Sequence, residues 1–178
     1  MSSDTMLQRS DRPNLARAPL PAALQARPLQ LRDRAPLHQL LTKDGMFTRE
    51  EVSVALELID GALAEPGGEY RVLCADLDGA LAGYVCYGPT PMTEGTWDLY
   101  WIVTHPDARG HGVARTLVGT MEAELRALGA RLVRVETSRL DGYGAARSFY
   151  ERMQYPLCAV MPDFYRPGDD LLVMLKRL

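Results

Sequence analysis

The apolar positions of the chain change period several times, and each change marks an element. Residues 29–33, LQLRD, alternate and predict a short first strand; residues 35–45, APLHQLLTKDG, predict a helix stopped by Gly45. Thr48 then stands three residues before Glu51, the spacing at which a hydroxyl takes a backbone N–H while the carboxylate reaches back. A helix begins there, because Val52, Ala55, Leu56, Ile59 and Leu63 recur at helical spacing until Pro66-Gly67-Gly68. Residues 70–78 and 80–88 read as strands joined at Asp78-Gly79, a dipeptide favoured in tight hairpins. After the loop at 89–92, TWDLYWIVT (96–104) is aromatic and β-branched, the third strand of a meander.

The next pattern is the clearest amphipathic helix of the chain. Val113, Leu117, Met121, Leu125 and Leu128 form one stripe, Arg115, Glu122, Glu124 and Arg126 fall elsewhere on the wheel, and Gly129 ends it. Residues 131–138 read as a strand, 144–153 as a helix, and 157–165 with 170–178 as a closing antiparallel pair. The order is strand, two helices, three meandering strands, helix, strand, helix, two strands: a mixed α/β chain.

Composition narrows this to one domain. The chain has 178 residues, enough for one hydrophobic core, and its net charge of −3 gives no excess of base to favour nucleic acid. Residues 1–28 are rich in Pro, Arg and Ala without an apolar period and read as a flexible tail ahead of a domain at 29–178. They lack the apolar centre of a secretory signal, and no segment is apolar for the length a bilayer demands, so the expected location is cytoplasmic, away from membranes. Cys74, Cys86 and Cys158 are odd in number and set in apolar surroundings, as reduced core residues are. Only His38, His105 and His111 accompany them, without metal-ligand spacing, and no metal is expected.

Chemistry enters where the strand at 96–104 hands over to the helix. The stretch WIVTHPDARGHGVARTL (101–117) places Arg109, Gly110 and Gly112 at a helix N-terminus, where unpaired N–H groups and the positive dipole end favour an anion. A Walker loop would need G-x-x-x-x-G-K-[ST], which is absent. A dinucleotide fold wants a third glycine where Arg115 stands, although Glu136 arrives about twenty residues on, near the place of a ribose-binding acid. A plain tight turn also needs such glycines.

Arg109-Gly110-His111-Gly112-Val113-Ala114, between a strand and an amphipathic helix, resembles the R/Q-x-x-G-x-G/A motif of the GNAT superfamily of N-acetyltransferases. Residues 145–155, AARSFYERMQY, resemble its next motif through Ala146 and Tyr150, with Gln154-Tyr155 where Gly-Phe or Gly-Tyr is commoner. The resemblance covers everything after the tail and implies a mostly antiparallel central sheet flanked by helices. It implies binding of acetyl-coenzyme A, with the pyrophosphate on the 109–114 turn and the pantetheine arm in a gap beside Ile102, Val103 and Thr104. It also implies acetyl transfer to a primary amine of a small molecule or peptide, by direct attack in a ternary complex. Dimers are common in the superfamily, so a homodimer is conceivable.

Transfer to an amine needs a base and an acid. Tyr150 matches the tyrosine that many members point at the coenzyme sulfur, and Asp98 and Glu136, each on a central strand, are the candidate bases; water could serve instead. Tyr143 stands where many members have asparagine, and Thr104 where valine is common. His111, inside the turn, is expected to face solvent or the phosphates. Asp98, Tyr100, Trp101 and residues 161–170 combine carboxylates with rings, which suits a cationic acceptor, while Pro167-Gly168-Asp169 reads as a turn with a solvated acidic tip. A non-catalytic acyl-coenzyme A-binding module is the alternative, with a nicotinamide or flavin enzyme weakened by Arg115.

Overall fold

A computed structural model describes residues 23–43 and 47–178. Seven strands form one sheet: β1 (Leu24–Pro28), β2 (Arg71–Leu77), β3 (Ala80–Pro89), β4 (Thr96–Thr104), β5 (Leu132–Ser138), β6 (Leu157–Arg166) and β7 (Asp169–Arg177). Their spatial order is β1-β2-β3-β4-β5-β7-β6, and every pairing is antiparallel except β4 with β5. Helices α1 (Arg34–Thr42) and α2 (Arg49–Ala64) cover one face, α3 (Val113–Ala127) and α4 (Gly144–Arg152) the other.

Local chemistry accounts for most of these elements. Thr48 and Glu51 close the capping box on α2: the Thr48 N–H donates to Glu51 Oε2 at 2.7 Å and the Glu51 N–H to Thr48 Oγ1 at 3.2 Å. Asp78 (φ 52°) and Gly79 (φ 84°) both occupy the left-handed region, as the two-residue hairpin between β2 and β3 requires. On α3, Val113, Leu117, Met121 and Leu125 are fully buried against the sheet, each such side chain stabilising the fold by about 1.5–3 kcal/mol.

The first strand lies elsewhere than the periodicity predicts. It is Leu24–Pro28, inside the stretch read as tail, and residues 29–33 instead leave the sheet in a short 3-10 turn. Arg27 is the cause: its guanidinium donates to Asp33 at 2.6 and 2.8 Å and to Asp76 of β2 at 2.6 and 2.9 Å. Those bonds fasten 24–28 to the β2 edge and, with the Gln30 N–H on Asp33 Oδ2 at 2.8 Å, bend the chain into a turn. The rest of the stretch read as tail, 1–22, and the Gly45 helix stop lie outside the described residues.

Three side chains depart from their expected surroundings. Leu128, the last residue of the apolar stripe, is exposed because α3 has already ended. Glu122, assigned to the polar side, is buried, since it accepts from the Tyr155 hydroxyl (2.9 Å), Lys176 Nζ (2.7 and 2.8 Å) and Arg126 (3.2 Å). Cys158 is exposed on the edge strand β6, whereas Cys74 and Cys86 are buried, with burial pushing both thiols up to about 12. No helix among the described residues is long and apolar enough to cross a membrane.

Candidate acyl-donor cleft

The site begins with a break in the one parallel pairing among the described residues. β4 and β5 pair from Thr96↔Leu132 to Leu99↔Val135 and no further. Immediately beyond, Tyr100 is an extra residue: Tyr87 pairs with Leu99 and Cys86 with Trp101, leaving Tyr100 unmatched in a β-bulge. The bulge reverses which side chains face which layer. Trp97 and Leu99 pack on the α3 side, Trp101 and Val103 on the α1 and α2 side. Past it β4 stays with β3, while Glu136, Thr137 and Ser138 of β5 stay with β7. A gap opens between the two strands.

Backbone groups line that gap. The His105 N–H donates to Ala82 O at 2.7 Å, so by the alternation of an antiparallel ladder Val103 also turns its N–H and C=O to β3. Ile102 and Thr104 turn theirs the other way, into the gap. An edge of this kind accepts an extended, amide-bearing chain as a strand would.

Beyond the gap, β4 ends at Thr104 and a short 3-10 turn, Pro106–Ala108, carries the chain to the glycine turn. Gly110 (φ 81°) and Gly112 (φ 83°) are both left-handed, a conformation costly for any residue with a Cβ. A Cβ at Gly110 would meet nothing within 4 Å, and one at Gly112 only Leu24 at 3.9 Å, so the space in front of both is open. The first intrahelical bond of α3 runs from Thr116 N–H to Gly112 O at 2.9 Å, which leaves the Val113, Ala114 and Arg115 amides without a helical carbonyl. Arg109 and His111 are exposed on this turn, and His111 Nδ1 lies 3.1 Å from Arg109 O, folded back on its own loop. Outward amides, an open glycine surface and an exposed arginine fit a pyrophosphate.

Tyr150 lies on the α3 side with Ile102, Ala146 and Phe149, buried between the Phe149 and Tyr155 rings at 5.5 and 6.1 Å. Burial raises its phenol pKa, which keeps the hydroxyl protonated and able to donate.

The two candidate carboxylates occupy the opposite, α2-side face and differ sharply. Asp98 is buried, and both oxygens are engaged, Oδ2 by the Thr90 hydroxyl at 2.9 Å and Oδ1 by Arg134 Nε at 2.6 Å. Glu136 is exposed beyond the last β4–β5 pair, with only Arg134 Nη1 at 3.4 Å. Arg134 therefore spans both, its charge reinforced first by the hydrogen bond to Asp98. Tyr165, near Glu136, and Tyr143, near Glu51, are half-exposed; burial and then these carboxylates raise both phenols.

The closing turn differs from its reading as a solvated tip. Asp169 is buried and accepts from the Ser138 hydroxyl at 2.5 Å, and Ser138 Oγ in turn accepts from Leu140 N–H at 3.0 Å. Arg147 latches the same corner through Ser138 O (2.9 Å) and Leu140 O (2.7 Å). Sequence spacing missed the roles of Arg134, Ser138, Arg147 and Asp169; the Arg134–Asp98 and Ser138–Asp169 contacts span 36 and 31 residues.

The sequence model of the acetyltransferase (GNAT) family matches residues 34–155, more than half of the chain. The chain belongs to the GNAT acetyltransferase family. A crystal structure described as a GNAT-family acetyltransferase from Desulfovibrio desulfuricans is 38% identical, with a TM-score of 0.82 over 87% of this chain and 99% of that one. An uncharacterized N-acetyltransferase of Methanocaldococcus jannaschii is 26% identical over 106 residues, 58% of this chain; the match spans 64% of that relative's length. The protein yncA of Salmonella typhimurium, solved with acetyl-coenzyme A, shares the fold at 18% identity, with a TM-score of 0.69 over 88% of this chain and 94% of that one.

Proposed function

We propose that this GNAT-family chain transfers the acetyl group of acetyl-coenzyme A to a primary amine in a ternary complex. The observation that carries the reading is the parting of β4 from β5 beyond Leu99, followed along the chain by the open turn at 109–114. The coenzyme supplies an acetyl thioester, whose cleavage yields a free thiol. The amides of Gly112, Val113 and Ala114, with Arg109 and His111 beside them, hold the pyrophosphate. Ile102 and Thr104 present backbone groups to the pantetheine amides, and a β4 N–H polarises the acetyl carbonyl. Val103, whose backbone serves β3, positions its neighbours.

Tyr150 donates its phenolic proton to the departing sulfur, since burial keeps it neutral. Glu136 accepts the ammonium proton, directly or through one water, and Asp98, saturated by Thr90 and Arg134, holds the Arg134 side chain in place. The acceptor approaches on the α2-side face, where Glu136, Tyr143, Tyr165 and the bulged Tyr100 offer charge and rings to a cation.

The test is free-thiol release from acetyl-coenzyme A across amino acids, polyamines and short peptides, with the acetylated product identified by mass. Release that tracks acetylation of one amine class supports the reading. Tight coenzyme binding without release for any amine would replace it with a coenzyme-binding module.

A further inference from the structure

We propose a second ligand site, at the end of the sheet opposite the glycine turn, that takes a free α-amino acid with a large apolar side chain. β1 stops at Pro28, paired with Leu73, and the last bond to that edge is Leu29 N–H to Val72 O at 3.1 Å. Between this end, the close of α2 and the side of α3 lies a cavity of about 420 Å³. Leu29, Leu63, Pro66, Val72 and Leu73 give it an apolar wall. Its volume falls within the range of small-molecule sites, about 300–1,000 Å³.

Two opposite charges line the same cavity, and neither has a charged partner among the described residues. Arg71 lays its guanidinium over the Trp97 ring at 5.4 Å, donates one long bond from Nη2 to Gly67 O at 3.3 Å, and leaves its buried Nε without an acceptor. With only that long bond on its outer nitrogens, the guanidinium can still take a carboxylate as a fork. Glu124 accepts the Tyr87 hydroxyl at 2.5 Å on Oε2, which leaves Oε1 for a donor. Tyr87 is also the cross-strand partner of Arg71, so one residue sets both charges against the cavity.

The ligand class follows from matching both. A carboxylate on Arg71 alone would leave Glu124 unanswered, and an ammonium on Glu124 alone would leave Arg71 so. An α-amino acid carries both groups on one carbon and adds a side chain for the apolar wall. The assignment does not depend on acetyl transfer, because none of these residues lines the β4–β5 gap.

Calorimetric titration of the full chain, saturated with coenzyme A to occupy the donor cleft, tests it. L-Phenylalanine should bind saturably, while phenylpropionate and phenethylamine, each lacking one charge, should bind about tenfold more weakly or worse. Arg71→Gln and Glu124→Gln should each weaken L-phenylalanine binding about tenfold, with coenzyme affinity and unfolding midpoint retained. Leu63→Trp, which fills the cavity, should abolish binding. No saturable heat, equal binding of all three probes, or an affinity indifferent to Arg71→Gln would overturn the site. Loss on Glu136→Gln instead would move the ligand to the acceptor face and also overturn it. Failure of the transferase reading registers separately, as absent thiol release.

Discussion

Arg134 engages two candidate carboxylates unequally. It holds Asp98 at 2.6 Å and reaches Glu136 only at 3.4 Å, so the two acids should respond oppositely to amide substitution. Asp98→Asn removes the charge-assisted half of that bond and should cost about 2 kcal/mol of stability in a denaturant titration. Glu136→Gln should leave stability unchanged and lower kcat/KM about a hundredfold, read by steady-state thiol release. Tyr150→Phe should likewise lower kcat about a hundredfold with coenzyme affinity retained, because the ring still packs between Phe149 and Tyr155. The cysteines allow a simpler check. Cys74 and Cys86 are buried with raised thiols, so a thiol reagent on the native chain should modify Cys158 alone, read as a single adduct by mass. Sequence context misjudged Cys158 because apolar neighbours on an edge strand look like those of a core strand.

At the scale of elements, legibility follows how far each stabilising contact reaches along the chain. The α2 cap and the Asp78-Gly79 hairpin are written within four residues and were readable. So was the handover at Gly110 and Gly112, where positive φ is needed. β1 was not, because its partner is β2 and its clamp is Arg27 on Asp76, dozens of residues away. Burial works against the Asp33 charge, but the Arg27 hydrogen bonds, the Gln30 amide and the Arg27 charge outweigh it and hold the carboxyl below its ordinary value. A depressed carboxyl stabilises the fold above its unfolded pKa, and that contribution disappears as pH falls through the folded one. Arg27→Met should therefore cost about 3 kcal/mol at neutral pH, and the deficit should shrink on acidification as Asp33 is protonated in both states, measured by urea melts across pH.

Across the whole molecule, the bulge at Tyr100 separates the proposed donor groups from the proposed acceptor face. Donor-side groups, Tyr150 and Ile102, sit with α3 and α4, while Glu136 and Arg134 sit on the face where α2 covers β2 and β3 and leaves β5 open. Motif spacing singles out the turn and Tyr150 as candidates, but it gives no sign that Asp98 is bonded to Arg134, 36 residues away, while Glu136 is exposed. The central claim is that the β4–β5 gap and the glycine turn form one acyl-donor site, and calorimetric titration of acetyl-coenzyme A into wild type and Gly112→Val tests it most directly. A valine there puts a side chain into the open cradle and strains a left-handed backbone by about 1–3 kcal/mol. The account predicts saturable binding by the wild type, lost in the variant while its circular dichroism stays native; equal affinity in the two proteins would contradict it.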